Sequence, residues 1–358
     1  MSEPHRDLQK KNPTKNTKMH LLLIRTSAMG DVALIAPVIR ELRNQYPEIA
    51  ITLVTRPNFA PLFGTIDGVE VYAPDFKYRH KGFSGLINLF RDLKKLKKID
   101  YVIDLHDVLR SKILRWLFML SGIPSSVIDK GRAEKNRVIT GKNKIQLMHS
   151  VDRYREALAK AGFTVVAEKG PWIIPSEEAK ERISGLFTEP GLLQIGVAPY
   201  AKHDLKMWPE ENMINLLKLI SGKYKVKFWL FGGKEETEQL ISFQNRVPES
   251  VLVAGTLNLN EEIALMSRLN LMISMDSSNM HMAALTGIKT VSIWGGTDPL
   301  TGFGAWEQPG NISVRIPVEE LTCRPCTVYG TGTCRRGDFA CMNWITPEMV
   351  FKTIETLL

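Results

Sequence analysis

The chain has 358 residues, of which 44% are hydrophobic and 24% charged, with 26 Gly and 19 Pro. This composition is typical of a globular protein and excludes fibrous and largely disordered classes. At about 150 residues per domain, the length indicates two domains. No apolar run reaches the roughly 18 residues of a membrane span, and no apolar segment precedes the first strand, so we expect a cytoplasmic protein.

The net charge of +9 is concentrated in the first half of the chain. Residues 1–160 carry 29 Lys and Arg against 16 Asp and Glu, whereas residues 161–358 carry 18 against 22. This asymmetry predicts that the first half binds something anionic, such as nucleic acid, lipid headgroups or phosphosugars. A solvated basic surface is the alternative, and residues 1–18, which we expect to be a disordered basic tail, explain part of the excess.

Strand-like and helix-like patterns alternate along the rest of the chain. In the first half we predict strands at 19–25, 51–55, 101–105 and 127–128, and helices from 31, at 84–98, at 108–120 and at 149–161. After a Pro- and Gly-containing connection at 163–191, strands follow at 193–198, 226–231, 251–253, 271–274 and 290–294. Helices are predicted at 209–221, 234–244, 260–269, 278–286 and 346–358.

Such alternation predicts an α/β protein with two Rossmann-like parallel-sheet domains that face a central cleft. We place the first domain at 19–175 and the second at 190–340. The C-terminal segment 341–358 is expected to be a helix that packs back toward the first domain. Ligands in such sheets bind beyond the carboxyl ends of the strands, so the loops that follow the strands are the candidate site.

The first of these loops reads Arg25-Thr26-Ser27-Ala28-Met29-Gly30-Asp31. It joins a strand to a helix N-terminus, where free backbone N–H groups attract anions. One glycine is too few for the dinucleotide-binding pattern Gly-x-Gly-x-x-Gly. Asp31 is therefore either a helix N-cap or a general base that faces the cleft and takes a proton from a hydroxyl.

Three loops of the second half carry polar groups on the same side of the sheet. Lys206 precedes a helix start in Lys-Met-Trp-Pro, where its ammonium is placed to meet a phosphate or is simply exposed. The segment Asp276-Ser277-Ser278-Asn279-Met280-His281 starts a helix, as a phosphate cradle or as ordinary capping. The turn Gly295-Gly296-Thr297-Asp298-Pro299 follows the next strand.

The order and spacing of these motifs resemble glycosyltransferase family 9, the ADP-heptose:lipopolysaccharide heptosyltransferases. The resemblance extends from about residue 19 to the C-terminus. It implies the GT-B fold and an inverting, metal-independent transfer of a heptose or related sugar from a nucleotide diphosphate donor, such as ADP-heptose. The implied acceptor is of the lipopolysaccharide core or lipid A type, and no cofactor is required.

The resemblance also implies residue roles. Asp31 would be the base that activates the acceptor hydroxyl, and Lys206 would hold the donor diphosphate. The implied donor site consists of Arg25, Thr26, Ser27, Gly30, Glu235, Glu236, Asp276, Ser277, Ser278 and His281, with Glu235 or Glu236 at the ribose. Ser278 stands where the family usually has Gly, so its hydroxyl either binds the donor or enlarges that side of the pocket.

Basic residues in or near loops of the first domain are candidates for binding an anionic acceptor. We propose Arg56, Arg110, Arg132 and Arg137 for this role, although a solvated basic surface explains any one of them equally well. The wider set of basic candidates also contains Arg79, Lys81, Lys112, Lys130 and Lys135. The segment 112–122 mixes basic and apolar residues. We interpret it as a core helix with basic ends, and peripheral contact with the inner face of the cytoplasmic membrane is the alternative.

All four cysteines lie near the C-terminus, as Cys323, Cys326, Cys334 and Cys341. Such clustering in a cytoplasmic protein favours reduced thiols or a metal over disulfides. The second pair lacks the Cys-x-x-Cys spacing of zinc ribbons, so reduced, packed cysteines are our interpretation, with structural zinc as the alternative.

Two other functions compete with sugar transfer. A nucleotide-sugar epimerase could share the two-domain fold, but a base in the acceptor loop and a basic acceptor domain disfavour it. The sequence pI of about 9.3 also permits a nucleic-acid-binding module. That class is expected to interleave aromatic residues with basic ones in a recognisable reader motif, which the sequence lacks, so we expect no nucleic acid partner.

Overall fold

The computed structural model describes residues 18–307 and 310–358. The expected disordered tail at 1–18 therefore lies outside the described residues, apart from its last position. Within those residues, no helix is long and apolar enough to cross a membrane.

The first domain is built on a five-stranded parallel sheet in the order β3-β2-β1-β4-β5. Its strands are β1 (His20–Ile24), β2 (Ala50–Val54), β3 (Val69–Tyr72), β4 (Tyr101–Asp104) and β5 (Ser125–Val127). Its helices are α1 (Met29–Ala33), α2 (Ala36–Gln45), α3 (Gly82–Leu96), α4 (Leu109–Leu120), α5 (Arg132–Ile139) and α6 (Ser150–Lys160). Every residue of β1 is buried, because helices cover both faces of this sheet.

The helix α7 (Glu177–Ile183) lies in the connection between the domains and packs against the second domain. The second domain has a six-stranded parallel sheet in the order β11-β10-β9-β6-β7-β8. Its strands are β6 (Leu193–Ala198), β7 (Val226–Leu230), β8 (Ser250–Leu252), β9 (Leu271–Met275), β10 (Thr290–Trp294) and β11 (Ile312–Arg315). Its helices are α8 (Glu210–Lys223), α9 (Thr237–Gln244), α10 (Leu259–Met266), α11 (Ser278–Leu285), α12 (Ala340–Asn343) and α13 (Pro347–Glu355).

Two Rossmann-like domains of this kind are the GT-B architecture, so the predicted fold class is confirmed. The sequence missed four elements, β3, β11, α5 and α7. The two strands lie at sheet edges and are only partly buried, so they lack a continuous apolar run. Helix α5 has the polar sequence RAEKNRVI, and α7 lies within the stretch that Pro and Gly marked as a connection.

The domains are joined by a common apolar core. Val32 and Ile35 of the first domain belong to the same buried cluster as Leu265 and Met282 of the second. Helix α1 packs directly on α11, and α10 packs on the short 3-10 helix Pro57–Leu62. The loops that follow β1 and β9 therefore meet at the junction between the sheets.

The C-terminal helix α13 packs mainly within the second domain. The main neighbours of α13 are α8 and β11, both in the second domain. Val350 and Ile354 are fully buried in the core that covers this side of the second sheet. The apolar face of α13 completes its own domain, and the expected packing toward the first domain is not among its main contacts.

Candidate functional site

The loop after β1 holds Asp31 at the domain junction. Helix α1 begins at Met29, so Asp31 is the third residue of the helix and not its N-cap. Its carboxylate Oδ2 lies 2.8 Å from Nη2 of Arg25 and accepts a 3.3 Å hydrogen bond from the Ala28 backbone N–H. Arg25 is itself fixed, because its Nη1 donates to the Leu105 carbonyl at 2.7 Å.

The environment of Asp31 favours the ionised carboxylate. Burial opposes ionisation, but the Arg25 guanidinium, the Ala28 N–H and nearby His281 outweigh it and lower the pKa of Asp31 below its ordinary value. The side chain is still 26% exposed, so the carboxylate can be reached from the cleft. Asp31 is thus a charged, accessible proton acceptor.

Asp31 lines a cavity of about 180 Å³ that both domains enclose. The first domain supplies most of the lining residues, and Phe303 and Tyr329 close it from the second. The other polar side chains in the wall are Arg25, Ser27, His106, Lys130, Lys135, Ser150, Arg153 and Tyr154. With four cations and one carboxylate in its wall, this Asp31 cavity is suited to an anionic ligand.

Two lysines of the Asp31 cavity are poorly solvated. Burial and the neighbouring Arg25 lower the pKa of Lys130 to about 8, and burial with Arg153 lowers that of Lys135 to about 8. The Lys135 ammonium also lies 3.9 Å from the centre of the Phe303 ring. Such lysines gain more from a bound anion than lysines on an open surface do.

His106, which sequence reasoning missed, supports the loop that carries Asp31. Its Nδ1 accepts a 3.5 Å hydrogen bond from the Thr26 backbone N–H, and its Nε2 lies 3.3 Å from the Ser27 hydroxyl. Burial and the cations around it lower the pKa of His106 to about 3, so the ring is neutral at physiological pH. The available signal was its position just after β4, the strand beside β1.

In the second domain, Lys206 and Asp276 form an ion pair near the domain junction. Nζ of Lys206 lies 2.8 Å from Oδ2 of Asp276, which also accepts a 2.8 Å hydrogen bond from the Thr297 hydroxyl. The methylene groups of Lys206 pack against Gly330, where an added Cβ would lie 2.7 Å from Cε. The predicted diphosphate-binding lysine therefore faces a carboxylate in this structure.

His281 of α11 connects the two halves of the site. It is buried, and its electrostatic neighbours include Asp276, Asp31 and Lys206. Burial lowers the pKa of His281, and its Nδ1 has no hydrogen-bond partner. Gly30 permits this approach, since a Cβ there would lie 2.7 Å from Cδ2 of His281. Asp31 of the first domain and Lys206 of the second therefore both lie near the His281 ring.

The remaining predicted donor residues lie in the loops that follow the strands of the second sheet. Ser277 precedes α11 without capping it, and its hydroxyl is instead 2.9 Å from that of Ser274. Ser278 is the first residue of α11, beside Gly30. Oε2 of Glu236 accepts from the Gly233 N–H at 2.7 Å, whereas the neighbouring Glu235 makes no such capping contact.

A sequence model of glycosyltransferase family 9 (heptosyltransferase) matches residues 87–331, more than half of the chain. The chain belongs to glycosyltransferase family 9. It is therefore a glycosyltransferase, as the motifs predicted, and the epimerase interpretation is set aside.

Curated relatives match along most of the family 9 chain. Lipopolysaccharide heptosyltransferase 1 of Escherichia coli O18:K1:H7 is 25% identical, over 85% of this chain and 94% of its own length. Lipooligosaccharide heptosyltransferase 2 of Haemophilus influenzae is 26% identical, over 95% of this chain and 99% of its own.

Solved structures share the fold. A family 9 glycosyltransferase from Veillonella parvula has a TM-score of 0.77 at 22% identity and covers 95% of this chain and 97% of its own. The E. coli heptosyltransferase WaaC with ADP has a TM-score of 0.68 at 21% identity, over 95% of this chain and all of its own.

The four arginines proposed for acceptor binding are exposed, and none lines the Asp31 cavity. Arg110 stacks on the Phe76 ring at 4.0 Å, and Arg132 is bound to Asp107 at 2.8 Å. The role of Arg56 and Arg137 in acceptor binding stays a prediction. The cations that line the cavity are different residues of the same domain.

The four cysteines of this family 9 protein are free and line one small cavity. Cys326 donates its N–H to the Gly296 carbonyl at 2.9 Å, which attaches the cysteine segment to the turn after β10. Burial raises the pKa of Cys341 to about 11, so this thiol is protonated. Among the described residues no group of three or more His, Cys, Asp or Glu is arranged to hold a metal ion.

Proposed function

We propose that this glycosyltransferase transfers a heptose from a nucleotide diphosphate donor, ADP-heptose, to a lipopolysaccharide-type acceptor, with inversion and without a metal ion. The observation that carries the proposal is that buried His281 of α11 lies close to Asp31 of the first domain and to Asp276 and Lys206 of the second. An inverting displacement needs a base on one face of the sugar and positive charge at the departing diphosphate on the other.

Asp31 is the proposed base. As the acceptor oxygen forms its bond to the anomeric carbon, the hydroxyl proton passes to the Asp31 carboxylate. Because the pKa of Asp31 is lowered, it is a weak base toward a free hydroxyl, and the transfer occurs late, when the attacking oxygen has become acidic. Arg25 and the Ala28 N–H hold the carboxylate in place for this step.

Lys206 is the proposed cation at the leaving group. The bond between the anomeric carbon and the diphosphate oxygen breaks with its electron pair on oxygen, and the ammonium stabilises that charge. In the free enzyme the Lys206 ammonium forms an ion pair with Asp276, so the donor diphosphate would replace this carboxylate as its partner. The N-terminus of α11, with Ser277 and Ser278, adds N–H and hydroxyl donors beside it.

The Asp31 cavity is the proposed acceptor site. Its lysines and Arg153 provide charge for an anionic sugar acceptor, which is the class that the names of both curated relatives indicate. The donor assignment draws on the E. coli neighbour, whose structure contains ADP. In this proposal the basic first domain serves a phosphorylated or carboxylated sugar, and nucleic acid is not a partner.

The test is product formation from a panel of nucleotide sugars, with the anomeric configuration of the product read by NMR. We expect transfer from ADP-heptose, inversion, and activity that survives chelation of metals. Retention of configuration, or strict dependence on added magnesium, would contradict the mechanism. An enzyme active only with another nucleotide sugar would keep the mechanism and change the donor.

Asp31→Asn tests the base. The amide preserves the size of the side chain but cannot accept the proton, so we expect turnover to fall by about 10²–10⁴-fold while ADP affinity is unchanged. Asp67→Asn, at an exposed carboxylate of the same domain that does not line the cavity, is the matched control and should leave turnover intact. Unchanged turnover in Asp31→Asn removes Asp31 as the base.

A further inference from the structure

Helices α3 and α4 lie side by side on one face of the first sheet. Their inner faces fill the core above the sheet with Leu86, Leu89, Leu114 and Phe118. The helices pack on each other, with the ring of Phe90 4.9 Å from that of Phe118. Their outer faces are therefore two adjacent strips of one surface.

The outer face of α4 is apolar. Leu109, Trp116, Met119 and Leu120 are 76%, 64%, 49% and 85% exposed and form one stripe at helical spacing, which we call the α4 stripe. The interpretation of this segment as a core helix is thus correct for only one face. A contiguous apolar stripe that contains an exposed Trp marks an interaction surface.

The charges around the α4 stripe are mostly positive, and the nearby carboxylate of Asp107 is already paired with Lys112 and Arg132. Helix α4 contains no acidic residue, and the one carboxylate of α3, Asp92, is already bound by Arg79 and His80. Exposed cations follow both helices: Arg91, Lys94 and Lys95 on α3, and Arg110 at the start of α4. An apolar stripe flanked by cations is the pattern of a helix that lies in the interface of an anionic bilayer.

We propose that the α3–α4 face binds the surface of an anionic phospholipid bilayer, with the α4 stripe inserted between headgroups. Trp and Leu favour the interfacial and acyl regions, and each nearby cation is attracted to the negative surface. A second copy of the chain on this face would bring like charges together, and a nucleic acid would leave the leucines in water.

The position of the α4 stripe suggests what membrane contact would do for the enzyme. Leu109 follows His106 closely in the chain, and His106 lines the Asp31 cavity. Docking by α4 therefore holds the cavity close to the membrane, where a lipid-linked acceptor would be presented. That use rests on the proposed function, whereas the membrane contact itself does not.

Vesicle sedimentation of the full chain tests the contact in the absence of any sugar acceptor. We expect binding to vesicles of phosphatidylcholine with phosphatidylglycerol, weak binding to phosphatidylcholine alone, and loss of binding as salt increases. The double variant Trp116→Ser/Leu120→Ser should lower the partition coefficient by at least about tenfold. Both side chains are mostly exposed in the protein, so their loss removes apolar area that the bilayer would bury.

The matched control is Trp344→Ser/Ile241→Ser, which removes two half-exposed apolar side chains from the second domain and should bind like the parent. Both variants should transfer sugar normally to an acceptor that lacks its lipid. Equal binding by the two double variants, or no binding of the parent to anionic vesicles, overturns the proposal. A dimer that Trp116→Ser/Leu120→Ser dissociates would also overturn it and assign the face to a second copy.

Discussion

Two carboxylates meet near the domain junction, and their surroundings separate their roles. Asp31 is 26% exposed and opens into the cavity, with its cation Arg25 buried behind it. Asp276 is only 7% exposed and is bound by both Lys206 and Thr297. The accessible carboxylate is suited to take a proton, and the enclosed one to hold a lysine until a diphosphate replaces it.

Lys206→Met tests the diphosphate contact at this scale. Methionine retains an unbranched stem against Gly330 but lacks the ammonium, and it leaves Asp276 facing the ligand. A lost charge-assisted hydrogen bond of about 1.5–3 kcal/mol predicts roughly 10–100-fold weaker ADP binding by calorimetry. Lys206→Met/Asp276→Asn should recover part of the loss. Equal ADP affinity in parent and Lys206→Met would remove Lys206 from the donor site.

If the Asp31 cavity binds the acceptor as we propose, the pH dependence of that binding follows from its two lysines. Lys130 and Lys135 bind an anion only when protonated, and both have pKa values of about 8 in the free enzyme. Acceptor affinity should therefore be greatest below pH 8 and fall as the pH rises through 8 to 9. The KM for acceptor, measured from pH 6.5 to 9.5, should show this rise, and Lys130→Gln/Lys135→Gln should flatten it. A pH-independent parent KM contradicts the assignment.

The same two lysines also make the free energy of unfolding depend on pH. Their folded pKa lies below the ordinary value of 10.5, so the unfolded chain binds more protons between about pH 8 and 10.5. Their contribution to the free energy of unfolding is thus least favourable below pH 8 and improves across that window. As the pH rises from about 8, the contribution of these lysines to stability therefore improves while acceptor binding weakens. A loss of binding in this range is thus distinguished from unfolding.

At the scale of elements, the site depends on how closely α1 and α11 approach. Helix α1 has only five residues, and Gly30 in it faces His281 and the first residue of α11. Helix propensity alone would favour alanine at this position by about 1 kcal/mol. Packing opposes it, since the new Cβ would lie 2.7 Å from Cδ2 of His281 and 3.4 Å from Cα of Ser278.

Gly30→Ala should therefore be destabilising, by about 1–3 kcal/mol, and should weaken ADP binding because the His281 ring must move. Gly222→Ala is the matched control: this exposed glycine of α8 has open space around its Cβ direction, and alanine there should be neutral or stabilising. Thermal unfolding and ADP titration of both variants give the answer. A stabilised Gly30→Ala would show that the helices can separate without cost.

The elements also show what sequence reasoning can reach. Buried central strands such as β1 and β9 are mostly apolar, and a candidate loop follows each of them. The apolar runs therefore located both strands and the loops after them. The edge strands β3 and β11 and helix α5 carry weaker patterns and were missed. The cavity wall was reached only in part, because His106, after β4, and Arg153 and Tyr154, on α6, are distant from Asp31 in the chain and approach it only through folding. No local spacing encodes such a meeting.

At the scale of the whole molecule, the two domains are mechanically coupled. Besides the common core, the start of α6 binds the loop after β10: the Ser150 N–H donates to the Gly302 carbonyl at 3.0 Å. The ring of His149 lies 4.6 Å from that of Trp306. Interfaces between domains of one chain are commonly small and polar, and then each domain unfolds separately. Here apolar residues of both sheets would be exposed if either domain unfolded alone.

We therefore expect one cooperative heat-capacity peak in differential scanning calorimetry, although the chain has two sheets. ADP, which binds the second domain in our proposal, should move that single peak upward as a whole, because a ligand of the folded state stabilises everything that unfolds with its site. Two resolved peaks, with ADP shifting only one, would mean that the common core does not couple the domains.

A pair of core variants tests the same coupling. Ile263→Ala removes buried volume from α10 in the common core, so it should lower the temperature of the peak and begin to split it. Ile214→Ala, in the separate core of the second domain, should lower the temperature of the peak without splitting it.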